Sequence, residues 1–313
     1  MSVNSTGFRL RLPATSANLG SGFDAVAIAL DFYLEIEAQR AHEFSIEATG
    51  RDAERCAQIE DNLILDIYRR VLSEHNKPEM PLALRMSNDI PLGMGCGSSA
   101  AGRLAAIALA VRFGDLGWGS ERILEEASAL EGHPDNAAAC WMGGFVATAC
   151  EGKTVHVARV TPPSKWRAIL ALPETPLATS KARAVLPDAY SRSDVVSNLQ
   201  AVSMLGLAFA QGRGDLLRVA MNDKIHQPYR APICTLLERL LPLAGHRGVL
   251  GVALSGAGPA VLLVLDEEKS IEPVAQLIRE ASQGLVQPEI LACGFYPAGA
   301  KSFLESTPTG LNS

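Results

Sequence analysis

A cluster of alternating glycines is the feature that most constrains how this chain can fold. Residues 91–101 read P-L-G-M-G-C-G-S-S-A-A, with glycines at positions 93, 95 and 97. They lie between a predicted strand, Leu82–Met86, and a predicted helix whose apolar side chains recur at helical spacing from Leu104 to Val111. Closely spaced glycines let main-chain N–H groups converge, and a helix N-terminus adds unpaired donors and a positive dipole end. The pattern therefore predicts a phosphate site that needs no lysine. A flexible strand–helix turn capped by a serine, with no bound ligand, would have the same sequence pattern.

The loop differs from the two standard nucleotide-binding fingerprints. It lacks the G-K-[S/T] of a P-loop, and no acidic residue follows at the distance that a dinucleotide-binding fold requires. A dinucleotide-dependent oxidoreductase is therefore disfavoured. The hydroxyl of Ser98 or Ser99 could instead cap the helix and also ligate Mg²⁺.

Composition excludes several classes of protein. The chain has 313 residues, of which 48% are hydrophobic and 20% charged, and its formal net charge is -6. This length predicts one large or two medium domains, and the apolar fraction excludes global disorder. Because an overall basic character is absent, we expect no nucleic-acid partner bound through bulk charge.

The cysteines and the hydropathy pattern indicate the compartment. The 6 cysteines form no C-x-x-C pair and no group with zinc-finger spacing, so reduced thiols are expected. The N-terminal segment has no basic region leading into an apolar one, which argues against a signal peptide. No run approaches the ~18 consecutive apolar residues of a membrane span. We therefore expect a soluble, cytoplasmic protein that does not associate with membranes.

Predicted strands and helices mix without strict alternation, which favours an α+β fold over a doubly wound parallel sheet. Strands are predicted at 8–12, 82–86, 154–160, 166–172, 248–254 and 260–265, helices at 63–75, 121–131, 194–211 and 233–243, and a helix or strand at 25–38. Paired prolines stop both kinds of element, so Thr161-Pro162-Pro163 is the best boundary. The predicted domains are residues 1–160 and 161–313.

Three motifs in order carry a resemblance to a known family. Beside the glycine loop stand P-A-T-S-A-N-L-G-S-G-F-D at 13–24 and S-G-A-G-P-A at 255–260. Together they resemble the GHMP kinases, a superfamily of small-molecule kinases. E-G-H-P-D-N at 131–136 and H-Q-P-Y-R at 226–230 are most similar to its homoserine kinase branch. The resemblance spans nearly the whole chain and implies a ribosomal-protein-S5-like N-terminal domain, a ferredoxin-like C-terminal domain and an active site between them.

The resemblance implies residues for ATP and Mg²⁺. Those implied to contact ATP are Asn62, Pro91, Leu92, Gly93, Met94, Gly95, Cys96, Gly97, Ser98, Ser99, Ala100 and Ala101. Ser99 and Glu131 would ligate Mg²⁺. Glu131 ends a predicted helix, where a carboxylate is disfavoured unless a cation lies beside it. The alternatives are a helix cap for Asn62 or Ser99 and a solvated surface position for Glu131. Cys96 and Met94 are unusual for the family, and their side chains should point away from the phosphates.

The resemblance also implies a substrate site. Asn18 and Asp24 would hold the amino group of the substrate, and Arg183 and Arg230 its carboxylate, which guanidinium groups suit better than lysines. Without the resemblance, Asn18 and Asp24 would be an ordinary turn residue and a helix cap, and each arginine an ordinary surface charge.

Two further residues, His133 and Asn136, would lie at the reacting end. His133 could bind the substrate or only stabilise the turn. Asn136 stands where the mevalonate kinase branch has a catalytic Asp, which implies that no strong base removes the substrate proton. Positioning and charge neutralisation would then supply most of the rate enhancement.

The implied activity is ATP-dependent phosphorylation of the side-chain hydroxyl of L-homoserine, giving O-phospho-L-homoserine for threonine biosynthesis. One alternative is a kinase of the superfamily that uses another alcohol. Another is an inactive relative acting as a ligand sensor, but such a protein should have lost Ser99 and Glu131. Dimers are common in the family, so a homodimer is compatible with the resemblance.

Overall fold

A computed structural model describes residues 7–302. Residues 1–6 and 303–313, at the two ends of the predicted domains, lie outside the described residues. Residues 1–6 also begin the N-terminal segment whose sequence argues against a signal peptide. The strands of the first sheet are β1 Phe8–Asn18, β2 Gly22–Arg40, β3 Ser45–Gly50, β4 Leu82–Asn88, β5 Phe145–Glu151 and β6 Thr154–Val160.

The long strand β2 organises the first sheet. The sheet has the order β3-β4-β2-β5-β6, and β1 also pairs with β2. Antiparallel pairing joins β2 to β1, to β4 through its second half and to β5 through 26–28. β3 and β4 are parallel. The ambiguous segment 25–38 is therefore a strand, since its alternation continues through a half-buried sheet.

The helices of the first half are α1 Ala53–Cys56, α2 Leu63–Glu74, α3 Ser98–Gly114, α4 Ser120–Glu131 and α5 Asp135–Met142. α3 is buried on nearly every side, as its alanine-rich and largely apolar sequence predicts for a helix inside the core. It begins directly at the end of the glycine loop, so its N-terminus points out of the core at that loop.

The second sheet has the order β10-β7-β9-β8 and is antiparallel throughout. Its strands are β7 Arg167–Leu172, β8 Val249–Leu254, β9 Val261–Leu265 and β10 Glu289–Cys293. The helices are α6 Thr179–Ala184, α7 Arg192–Gln211, α8 Leu217–Ala220, α9 Gln227–Arg230, α10 Thr235–Leu240 and α11 Ile271–Ala281. Strand order and β-α-β-β-α-β connectivity are those of a ferredoxin-like domain, which confirms the predicted fold class.

The helix predicted over 233–243 is shorter than expected. α10 covers only Thr235–Leu240, with 3₁₀ turns at 231–233 and 241–243. Pro232 and Pro242 lie in those turns, where a proline ring and its missing N–H interrupt α-helical hydrogen bonding.

The two sheets are closely joined. Phe145 of β5 stacks on Phe209 of α7 with ring centroids 4.5 Å apart, and Trp166 contacts Phe209 edge-on. After β10 the chain returns to the first sheet, where Tyr296 N–H donates to Ala29 O and Gly144 N–H donates to Tyr296 O. The chain leaves the first sheet at Val160 and enters the second at Arg167. The exact boundary at 160/161 stays a prediction.

Across residues 7–302, no helix combines the length and the apolar character that crossing a membrane requires.

Candidate active site

A cavity of about 380 Å³ lies between the two halves, where the predicted motifs meet. The predicted site residues that line it are Asn18, Asp24, Asn62, Leu92, Gly93, Gly95, Gly97, Ser98, Ser99, Glu131, His133, Asn136, Arg183 and Arg230. Residues from both sequence halves thus converge on one volume. That volume is at the lower end of the range typical of small-molecule sites.

The glycines of the loop are required by close packing. Gly93, Gly95 and Gly97 all have positive φ, between 72° and 81°. A Cβ on Gly95 would lie 2.2 Å from Ser255 O, and one on Gly97 would lie 1.9 Å from Thr15 Oγ1. Other residues would therefore be strained and would collide with the neighbouring motifs. The loop main chain is consequently exposed to the cavity, beside the N-terminus of α3.

The S-G-A-G-P turn at 255–259 packs directly on this loop. Ser255 Oγ lies 2.8 Å from Gly95 O, to which it donates, and Ala260 N–H donates to Met94 O. Gly256 N–H donates to Ala17 O, and Asn18 Nδ2 donates back to Gly256 O at 2.8 Å. These contacts join the first motif, the glycine loop and the last motif.

Five residues of the predicted ATP loop do not line the cavity. They are Pro91, Met94, Cys96, Ala100 and Ala101. Cys96 is fully buried, and burial raises the pKa of its thiol to about 12. Its side chain thus points away from the cavity. Any contribution of these five residues to nucleotide binding would come from main-chain atoms.

The proposed metal ligands lie together, and an arginine joins them. Arg103 Nη1 donates to Glu131 Oε2 at 2.8 Å and also contacts Ser99 Oγ. Two oxygen atoms that share one donor group point to a common location, and oxygen ligands suit Mg²⁺. The residues present therefore fit a magnesium ion. Sequence reasoning missed Arg103, although its position one helical turn after Ser99 places both on the same face of α3.

Asn62 acts as the N-cap of α2. Its Oδ1 accepts from the N–H groups of Ile64 and Leu65, and its Nδ2 donates to the carbonyls of Gln58 and Cys56. Both functions of the amide are thus used inside the protein. This favours the helix cap that the sequence had left as an alternative. The adenine contact stays a prediction.

An ion pair also lines the cavity. Arg183 Nη2 donates to Asp24 Oδ1 at 2.6 Å, and Asp24 N–H donates to Asn18 Oδ1. Asn18 and Asp24 both adopt positive φ, 70° and 54°. Asn and Asp adopt this left-handed conformation more readily than other residues that carry a side chain.

Arg230 is buried and held by main-chain and side-chain contacts. Its Nε donates to Ala182 O at 2.9 Å, and its Nη1 contacts Gly256 O and His226 Nδ1. Nη2 has no hydrogen-bond partner among residues 7–302, although Arg230 lines the cavity. Burial, followed by the positive charge of Arg183, lowers the pKa of Arg230.

The H-x-D-N element forms a third group. His133 Nδ1 lies 2.8 Å from Asp135 Oδ1, and Asn136 Oδ1 accepts from Thr15 Oγ1 at 2.7 Å. Burial lowers the pKa of His133, but the hydrogen bond and charge of Asp135 outweigh it, so the pKa lies above its ordinary value. Asp24, His133 and Asp135 offer ligand atoms within 4.8 Å of one another, a grouping that could hold a cation.

Comparisons with known proteins agree with this geometry. The model of the GHMP kinases N terminal domain matches residues 62–144, and that of the GHMP kinases C terminal domain matches residues 207–282. The chain is 42% identical over 281 residues to the homoserine kinase of Solibacter usitatus, covering 90% of this chain and 91% of that one. It belongs to the homoserine kinase family of GHMP kinases. The homoserine kinase of Synechocystis is 35% identical over 87% of this chain and 90% of its own.

Solved GHMP kinases share the fold at lower identity. The crystal structure of homoserine kinase from Cytophaga hutchinsonii gives a TM-score of 0.80 at 22% identity, covering 96% of this chain and 98% of that one. L. major mevalonate kinase, solved with R-mevalonate, gives a TM-score of 0.72 at 15% identity over 94% and 99% of the two chains. The two-domain GHMP kinase architecture is thus shown.

Proposed function

We propose that this GHMP kinase uses ATP to phosphorylate the side-chain hydroxyl of L-homoserine, giving O-phospho-L-homoserine for threonine biosynthesis. The observation that carries the proposal is a single cavity lined both by the glycine loop at the start of α3 and by the Asp24–Arg183 ion pair with Arg230. The curated relatives named above are homoserine kinases.

The nucleotide phosphates would bind at the loop of Gly93, Gly95 and Gly97. Positive φ values leave its main chain open to the cavity, and the N-terminus of α3 contributes its dipole. The negative net charge of the chain is compatible with a polyanionic substrate because this capture is local. Leu92, Ser98 and Asn62 line the same cavity.

Ser99 and Glu131 would hold Mg²⁺. When bound, that ion would neutralise charge on the phosphate oxygens during phosphoryl transfer. Ser99 lies in the first turn of α3 but does not cap it, because the N-cap is Gly97 and, within residues 7–302, no side chain caps this helix. Glu131 ends α4, where a cation nearby relieves its interaction with the helix dipole.

The amino-acid part of the substrate would bind at the ion pair. Asp24, held by Asn18, would accept the substrate ammonium, and Arg183 would pair with its carboxylate. Arg230 would add its Nη2 group, since its other donors are engaged. A zwitterion offers an opposite charge to each member of the pair, whereas a neutral sugar offers hydrogen bonds without charge.

The reacting hydroxyl would lie near His133 and Asn136. An asparagine amide cannot accept a proton as a strong base, so Asn136 would orient the hydroxyl rather than deprotonate it. His133, held by Asp135, would hydrogen-bond the same end of the substrate. A loose transition state for phosphoryl transfer requires mainly such positioning.

We further propose that the protein works in the cytoplasm without a nucleic-acid or membrane partner, and that it can form a homodimer. The scattered cysteines support a cytoplasmic location, and the absence of an overall basic character argues against a nucleic-acid partner. We also assign residues 1–160 and 161–313 to the two domains, because the chain changes sheets between Val160 and Arg167.

The test is ADP release measured with L-homoserine, mevalonate and sugar alcohols, using Arg183→Ala as the diagnostic variant. Losing one charge-assisted contact should raise the KM for homoserine by about 10- to 100-fold and leave the KM for ATP within about twofold. Arg183 is half-exposed, so truncation should not unfold the chain. Lys181→Ala, an exposed cation of the same helix, is the matched control and should leave both constants unchanged. Release of ADP with mevalonate but not with homoserine would overturn the proposal.

A further inference from the structure

One aromatic ring lies against both arginines of the substrate site. The Cζ atom of Arg183 is 5.5 Å from the ring centroid of Phe23, and that of Arg230 is 5.3 Å from it. Both distances lie within the range of cation–π attraction. Phe23 itself does not line the cavity. Its ring therefore contacts the groups proposed to bind substrate without reaching the substrate space.

A histidine extends this contact. The ring of His226 stacks on Phe23 with centroids 5.2 Å apart and an interplanar angle of 28°. His226 Nε2 lies 2.8 Å from Gly20 O, so that nitrogen carries the hydrogen and Nδ1 accepts from Arg230 Nη1 at 3.1 Å. The neutral imidazole thus holds one guanidinium and supports the ring that contacts both.

Arg183 and Arg230 carry like charges, and both contact the ring of Phe23. Burial, and after it the charge of Arg183, lowers the pKa of Arg230, whereas Asp24 pairs directly with Arg183. The face of an aromatic ring is electrically negative and attracts the guanidinium groups. It does so without a hydrogen-bond acceptor that would compete with a substrate carboxylate for the arginine N–H donors.

We propose that Phe23 is a positioning residue that sets the spacing of Arg183 and Arg230 and thereby the affinity for the carboxylate of the substrate. This inference rests on the proposed function of the two arginines. Phe23 acts through them and makes no contact with the reacting groups. Its loss should therefore weaken binding of homoserine selectively.

The experiment is calorimetric titration of L-homoserine into the full chain, combined with steady-state kinetics. Phe23→Leu keeps the apolar character and removes the ring, and it should raise the dissociation constant of homoserine about 5- to 30-fold. The KM for ATP should stay within about twofold and kcat within about threefold, because the loop and the reacting end are untouched. Phe23→Tyr retains the ring and should restore affinity.

A double-mutant cycle separates positioning from general damage. If Phe23 acts through the arginines, Phe23→Leu should cost markedly less affinity in an Arg183→Ala background than in the wild type. Phe44→Leu is the matched control, because Phe44 is also half-buried and lies 4.7 Å from the Cζ of Arg69, away from the cavity. It should leave homoserine binding unchanged.

The outcomes are distinct. Wild-type protein that binds no homoserine would overturn the proposed function, and this inference with it. If the wild-type protein binds homoserine, three results would overturn only the role of Phe23. These are unchanged homoserine affinity in Phe23→Leu, additive effects of the two substitutions in the cycle, and a loss of ATP affinity as large as that of homoserine affinity. Should Phe23→Leu fail to fold, Phe23→Met gives the same comparison with a flexible apolar side chain.

Discussion

At the scale of single residues, the site depends on positions where no side chain can be added. Gly97 lies so close to Thr15 that the hydroxyl of Thr15 occupies the space of a Cβ, and that hydroxyl donates to Asn136. The glycine loop and the H-x-D-N element are therefore coupled through one threonine. This coupling cannot be read from the sequence, because Thr15, Gly97 and Asn136 are far apart in it.

Gly97→Ala should damage both stability and catalysis. The substitution combines a left-handed backbone with a steric clash, so the free energy of unfolding should fall by about 2–4 kcal/mol. Displaced Thr15 should also release Asn136 and lower kcat. Urea denaturation and ADP-release kinetics measure the two effects. Gly117→Ala has a similar φ of +67° and open space, so it should lose only about 1 kcal/mol and retain full activity. Equal losses in the two variants would show that the clash is unimportant.

At the scale of elements, sequence patterns predicted the elements that have strong periodicity or capping. The α2 cap and the buried helix α3 follow directly from residue spacing. β3, β5 and β10 were not predicted: β3 is short and mostly exposed, and β5 and β10 do not alternate between buried and exposed positions. α11 was not predicted, although its apolar spacing is helical. The contacts of Arg103 and His226 depend on how elements pack, which no local pattern specifies.

Two roles are predicted for Asn62, a contact to adenine and the N-cap of α2, and substitutions at this position can distinguish them. Asn62→Ala removes the cap of α2 and should lower the free energy of unfolding by about 1–2 kcal/mol. Asn62→Asp keeps the capping oxygen and should lose less. If the side chain only caps the helix, the KM for ATP in Asn62→Asp should stay within about twofold of wild type. A large rise in that KM without loss of melting temperature would instead indicate an adenine contact.

At the scale of the whole molecule, the aromatic cluster of Phe145, Trp166 and Phe209 joins the two sheets into one core. The cavity lies between these sheets, so its dimensions depend on how they are held together. The resemblance implied a site between two domains. The resemblance did not predict how far the two sheets share a core, because no motif specifies how aromatic residues distant in sequence pack together.

Phe209→Ala should therefore destabilise both halves together. Truncating this buried ring should cost about 3–5 kcal/mol and shift one cooperative unfolding transition, followed by tryptophan fluorescence and by circular dichroism. Leu207→Ala, on the same helix but 53% exposed, should cost less than about 0.5 kcal/mol. Two separate transitions, of which only one shifts, would contradict a shared core.

The return of the chain to the first sheet has a consequence for synthesis. The main-chain bonds of Tyr296 to Ala29 and Gly144 join the last strand-like segment to strands made from the first half of the chain. A ribosome delivers residues from the N-terminus, so the first sheet emerges with these partners still unmade. The carbonyl of Ala29 and the N–H of Gly144 therefore lack this main-chain partner until Tyr296 has left the exit tunnel.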